Sequence, residues 1–169
     1  MATVIDRDLF SWALNTKLWE QEQETWNIAE SVYENVIYDR IVDSIFAILA
    51  DEFHMPIYMD SHKGNQSFLL IPGDDAIIAP YMFGQDREYS VMIQYQLDSG
   101  GTYNRNTLKQ VTEVNERVKR LMYNNIDYAP SSMYHWNNAR ISAITHTRLD
   151  SILQTEMQFN CNSTEVSPN

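Results

Sequence analysis

Two stretches of the chain carry apolar residues at helical spacing, and others alternate apolar with polar in the manner of strands. From Tyr33 to Phe53, the positions Tyr33, Val36, Ile37, Ile41, Ile45, Ile48 and Leu49 follow the i, i+3, i+4, i+7 rule of a helix with one buried face. Ser31 with Glu34 matches a capping box, and Pro56 ends the helix near Glu52 to His54 because its ring cannot continue one. A second helix is predicted over Thr107–Tyr123, with Asn106 or Thr107 as cap and Leu108, Val111, Val114, Val118 and Leu121 as its buried face. Arg87–Leu97 alternates as a strand: Tyr89, Val91, Ile93, Tyr95 and Leu97 point one way, Ser90, Gln94 and Gln96 the other, with Met92 as the exception. Asp98-Ser99-Gly100-Gly101 ends it as a turn.

The remaining segments are less regular. Met55–Asp60 and Gln66–Ile71 read as short strands joined through Ser61-His62-Lys63-Gly64-Asn65, and Pro72-Gly73-Asp74-Asp75 breaks the second. The apolar run Ala76–Gly84 is bounded by Pro and Gly, so it reads as an irregular or extended loop, and an exposed apolar loop suits an interface. Asn124-Asn125 and Ala129-Pro130-Ser131-Ser132 form the next loop. Ala139–Thr147 and Ile152–Cys161 read as closing strands, with Ile141 and Ala143 opposite Leu153, Met157 and Phe159, and a polar, frayed tail starts at Asn162. The expectation is an α+β fold, a two-layer antiparallel or mixed β-sheet packed against two main helices. A core domain over 31–161 lies between an N-terminal amphipathic helical segment, 1–30, and a flexible tail, 162–169.

In that N-terminal segment Trp12, Trp19, Trp26 and Tyr33 recur every seven residues, with Ile5 and Leu9 near the same stripe. On a helix this spacing lines the aromatics along one seam, while Glu20-Gln21-Glu22-Gln23-Glu24 is solvated in character. The seam needs a cover, either its own domain or a neighbouring subunit.

With 169 residues, 44% hydrophobic and 12% aromatic, the chain has the composition of one folded domain. Twelve basic against twenty-three acidic residues give a net charge of −11, which disfavours gripping nucleic acid, and Arg117, Lys119 and Arg120 read as a short polar helix face. The single cysteine, Cys161, excludes an internal disulfide and a cysteine zinc cluster. The N-terminus lacks a signal-peptide pattern and no stretch has the ~18 apolar residues of a membrane span, so a soluble protein is expected.

Catalytic motifs are missing. His54, His62, His135 and His146 form neither HExxH nor HxH, and His54 at a helix end reads as a favourable cation at the helix's negative pole. Asp74-Asp75 and Asp51-Glu52 read as turn and helix-end residues before cation ligands. There is no nucleophile elbow, and Cys161 with His146 across the closing hairpin is the nearest approach to a nucleophile and base. Gly100-Gly101 lacks the rest of a phosphate loop. No cofactor or metal site and no enzyme activity are expected.

The order helix, short strands, strand Arg87-Glu88-Tyr89-Ser90-Val91-Met92-Ile93, helix and two closing strands ending in Gln154–Asn160 is similar to the tail-terminator (tail-completion) proteins of long-tailed bacteriophages. The resemblance covers residues 33 to 161. It implies a virion protein, assembled in the host cytoplasm, whose homohexameric ring ends tail-tube polymerisation. Its partners would be the tail tube protein and the neck or head-to-tail connector. DNA would pass the ring without specific binding, helped by the acidic charge. Trp12, Trp19, Trp26, Ile77, Ile78, Tyr81 and Phe83 are the expected interface residues. The segment 1–30 departs from the family's shorter N-terminus. Another neck or head-completion protein, a small acidic inhibitor of a host enzyme and an enzyme with a scattered site remain the rival readings.

Overall fold

The structure, a computed structural model, describes residues 37–81, 84–100, 104–131 and 134–166. The expected N-terminal segment, with Trp12, Trp19 and Trp26, lies outside them, as does Phe83. The described residues form two helices and a six-stranded mixed, curled sheet, the α+β class expected. Helix α1 (Ile37–Glu52) precedes β1 (Ile57–Tyr58), β2 (Gln66–Tyr81) and β3 (Gly84–Asp98); helix α2 (Arg105–Asn124) precedes β4 (Tyr128–Ser131), β5 (Tyr134–Leu149) and β6 (Ile152–Val166). The sheet order is β1-β2-β3-β6-β5-β4, with β1 parallel to β2 and the other neighbours antiparallel.

The alternation along β3 decides which side the helices cover. Tyr89, Val91, Ile93, Tyr95 and Leu97 are all buried, and their register partners on β6 include Cys161, Phe159, Met157 and Thr155, also buried. Over this face α1 sets Ile41, Ile45, Ile48 and Leu49, and α2 sets Val111, Val114, Val118 and Met122. Burying such side chains is worth about 1.5–3 kcal/mol each, so this seam between helices and sheet is the main source of stability. Trp136 fixes the α2 side: fully buried, it packs edge-on against Phe159 and donates its indole N–H to the Asn125 carbonyl at 2.9 Å.

Several sequence expectations need correction. Pro72–Asp75 does not break β2. It forms a bulge, and Ala76–Tyr81 continues as strand paired with β3, with a second irregularity between Ile77 and Ala79. Prolines are tolerated because β1 reaches only Phe68 and Leu69, which leaves the far half of β2 as a sheet edge. The loop expected around Ala129–Ser132 instead begins with β4, a short edge strand that also tolerates Pro130. The tail expected to fray from Asn162 is paired through Val166 with the start of β3. Helix α2 is capped by Asn104, whose side chain accepts from the amides of Asn106 and Thr107 at 2.9 Å, rather than by either of those residues. Ala143 lies opposite Gln158, while Ile141 does face Phe159.

Candidate interaction surfaces

The far half of the β2–β3 hairpin begins at the Gly73 bulge. There the Tyr38 hydroxyl, from the first turn of α1, donates to the Ser90 carbonyl at 2.7 Å and accepts the Gly73 amide at 2.5 Å. A Cβ at position 73 would stand 2.4 Å from Ser90 Oγ and 3.0 Å from the Ser90 carbonyl oxygen, so the close approach needs glycine. Burial raises the Tyr38 pKa, with the Gly73 hydrogen bond opposing and Asp75 and Asp74 adding to the shift.

Beyond the bulge, β2 has no neighbour on its outer side among the described residues. Ile77 and Ile78 are 56% and 52% exposed on this edge. Ion pairs flank the arm: Arg87 with Asp75 at 2.7 Å, and Arg140 of β5 with Glu88 at 2.5 Å. Thr164 donates to Asp86 at 2.6 Å. Of the expected interface residues, Ile77 and Ile78 are thus exposed together, and Tyr81 closes the strand opposite Gly84.

The sheet face turned away from the helices is polar but mostly uncharged. Gln94 and Gln154 both donate to one Glu156 oxygen, at 2.9 and 3.0 Å. Next to them His62 meets the buried Ser67 hydroxyl at 2.9 Å, and burial lowers its pKa while a hydrogen bond with Gln94 pulls the other way.

A third surface was misread in the sequence. Leu108, expected in the core, is 55% exposed. With Phe53, Met55 and Val114 it lines an open groove of about 780 Å³ beside α2, and four bases, Arg105, Lys109, Arg117 and Arg120, line the same groove with two acids, Glu113 and Glu116. Arg117 stacks 4.8 Å from the Phe53 ring centre and pairs with Glu52 at 2.5 Å. Helix α2 holds five of the chain's twelve basic residues against two acids, a net charge of +3 in a chain of −11. The clue was present in that count, but Arg117, Lys119 and Arg120 alone look like an ordinary solvated face.

Among the described residues the candidate nucleophile, base and metal ligands are not assembled. Cys161 is fully buried, and burial, with Glu88 adding to it, pushes its thiol up to about 12, which removes the thiolate a nucleophile needs. His146 sits opposite Thr155 and bonds its hydroxyl at 3.1 Å, six residues along β6 from Cys161, so the two do not form a pair. Among the described residues no group of three or more His, Cys, Asp or Glu could hold a metal ion. No described helix is long and apolar enough to cross a membrane. No protein-family model matches the chain, and no curated protein matches it in sequence.

Proposed function

We propose that this is a structural assembly protein that works as a ring of identical copies, in the manner of a phage tail terminator. The observation that carries the proposal is the far arm of β2, which among the described residues has no strand on its outer side and carries two exposed isoleucines. Such an edge is a template for strand addition or for an apolar contact with a neighbour. A head-to-tail contact of this kind closes into a ring when the rotation between copies divides a full turn. In a tail the ring would end tube growth and join the tube to the neck, and DNA would pass along its axis. Gln94 and Gln154, on the sheet face turned away from α1 and α2, bring no positive charge to attract phosphate, and the net charge of −11 repels it.

The test is native mass, alone and after addition of tail tubes, for the wild-type chain and for Ile77→Asp with Ile78→Asp. The reading expects a hexamer, or a monomer that becomes one on tubes, and a double variant that keeps its fold but stays monomeric. A wild-type chain that remains monomeric and ignores tubes rejects it.

A further inference from the structure

We propose that the groove beside α2 is the docking site of the chain's own N-terminal segment, with the seam of Trp12, Trp19 and Trp26 laid against Phe53, Met55 and Leu108. Such docking within one chain holds with or without a ring, and charge favours it. Residues 1–36 hold two basic and seven acidic residues, a net charge of −5, including Glu20, Glu22 and Glu24 between two of the tryptophans. The groove carries the opposite sign: Arg105, Lys109, Arg117 and Arg120 outnumber Glu113 and Glu116 around an apolar strip, a net of +2, with Lys109 paired to Glu113 and Arg117 to Glu52. An acidic segment with an aromatic stripe is the complement of a basic groove with an apolar floor, in sign and in hydrophobicity.

Length agrees as well. From Trp12 to Trp26 a helix rises about 21 Å, and from Arg105 to Arg120 about 22 Å, so segment and groove run for the same distance. The segment can also get there. Ten residues separate Trp26 from Ile37. They reach about 33 Å when extended, whereas α1, which must be traversed to bring the chain from Ile37 to Phe53, is about 24 Å long.

The nearer apolar strip at Ile77 and Ile78 is the competing site, because Tyr38 binds at the bulge where the arm begins. Charge argues against it. Asp74 to Glu88 includes four acids and one base, which would repel Glu20, Glu22 and Glu24. The groove is the site that attracts both parts of the segment.

The experiment is amide hydrogen exchange on the full chain at low salt. Residues 12–26 should be protected in the wild type and exchange about tenfold faster in Arg105→Glu, Lys109→Glu, Arg120→Glu, with protection of β3 and β6 unchanged as proof of fold. Adding Glu20→Arg, Glu22→Arg and Glu24→Arg to that variant should restore protection. Equal exchange of 12–26 in wild type and triple variant, whether fast or slow, overturns the proposal. A second arm joins Glu24→Cys to Lys109→Cys with a flexible bis-maleimide, the buried Cys161 thiol staying silent. The expected product is a cross-linked single chain. A cross-linked dimer would give the groove to a second copy's segment and overturn docking within one chain, as would no cross-link at all.

Discussion

The two halves of β2 belong to one strand and pair with one neighbour, β3, yet they sit in opposite environments. From Ser67 to Leu70 every residue is buried, beneath α1 on one face and beside the His62 loop on the other. From Ile71 to Pro80 nearly every residue is exposed. Pairing with β3 continues through both halves, so hydrogen bonding alone does not decide burial. The difference comes from α1, whose first turn ends at Gly73 through Tyr38. One half is a structural core strand, and the other is exposed among the described residues.

Substitutions can break this comparison. Leu70→Ala should cost about 2–5 kcal/mol in chemical denaturation while Ile77→Ala stays within about 0.5, and equal costs would mean the far half is as structural as the near one. Gly73→Ala, at the boundary, should cost about 1–3 kcal/mol, because the new methyl meets Ser90 Oγ and, behind it, the Ser90 carbonyl, and adding Ser90→Ala should recover the side-chain part. Tyr95→Phe acts in the covered half with the opposite sign. Its buried hydroxyl has no partner among the described residues, so removing it should leave stability unchanged or raise it by up to about 1 kcal/mol.

The pH dependence of the same variant sharpens the point. Burial pushes Tyr95 up to about 12, so the unfolded state ionises first and stability falls as pH rises from about 10 towards 12, a slope Tyr95→Phe should flatten. The smallest effect belongs to His62. Its pKa is lowered in the fold, so the unfolded chain takes the proton first and stability drops as pH falls below about 6.5. His62→Asn should remove that acid slope in thermal melts and leave neutral pH unchanged.

Periodicity made α1, β3, α2 and the inner part of β6 legible, since each has a continuous apolar face against one layer. It failed where burial on one side is lost. Pro72, Gly73 and Pro80 look like strand breakers, but an edge strand needs neither their amides nor straight pairing, so β2 runs through them. The same holds for Pro130 in β4. Along α2 the apolar stripe includes Leu108, but the helix starts beyond the covered core, and Asn115 and Met122 are buried instead of it. The exposed isoleucines could be picked out in advance as an apolar run without helical or strand rhythm. The basic groove could not, because it joins Phe53 and Met55 to α2 residues fifty or more positions later, a juxtaposition only tertiary structure creates.

The place of β6 in the sheet order sets when the molecule can fold. It is made after every other described strand, yet it stands between β3 and β5 at the centre of the sheet. Until it emerges from the ribosome, the β2–β3 hairpin keeps a long inner edge with Val91, Ile93 and Tyr95 uncovered on their β6 side. Pairings between strands so far apart in sequence form slowly, and open apolar edges invite aggregation meanwhile. Premature stops within β6 should therefore yield insoluble chains rather than shortened, working ones.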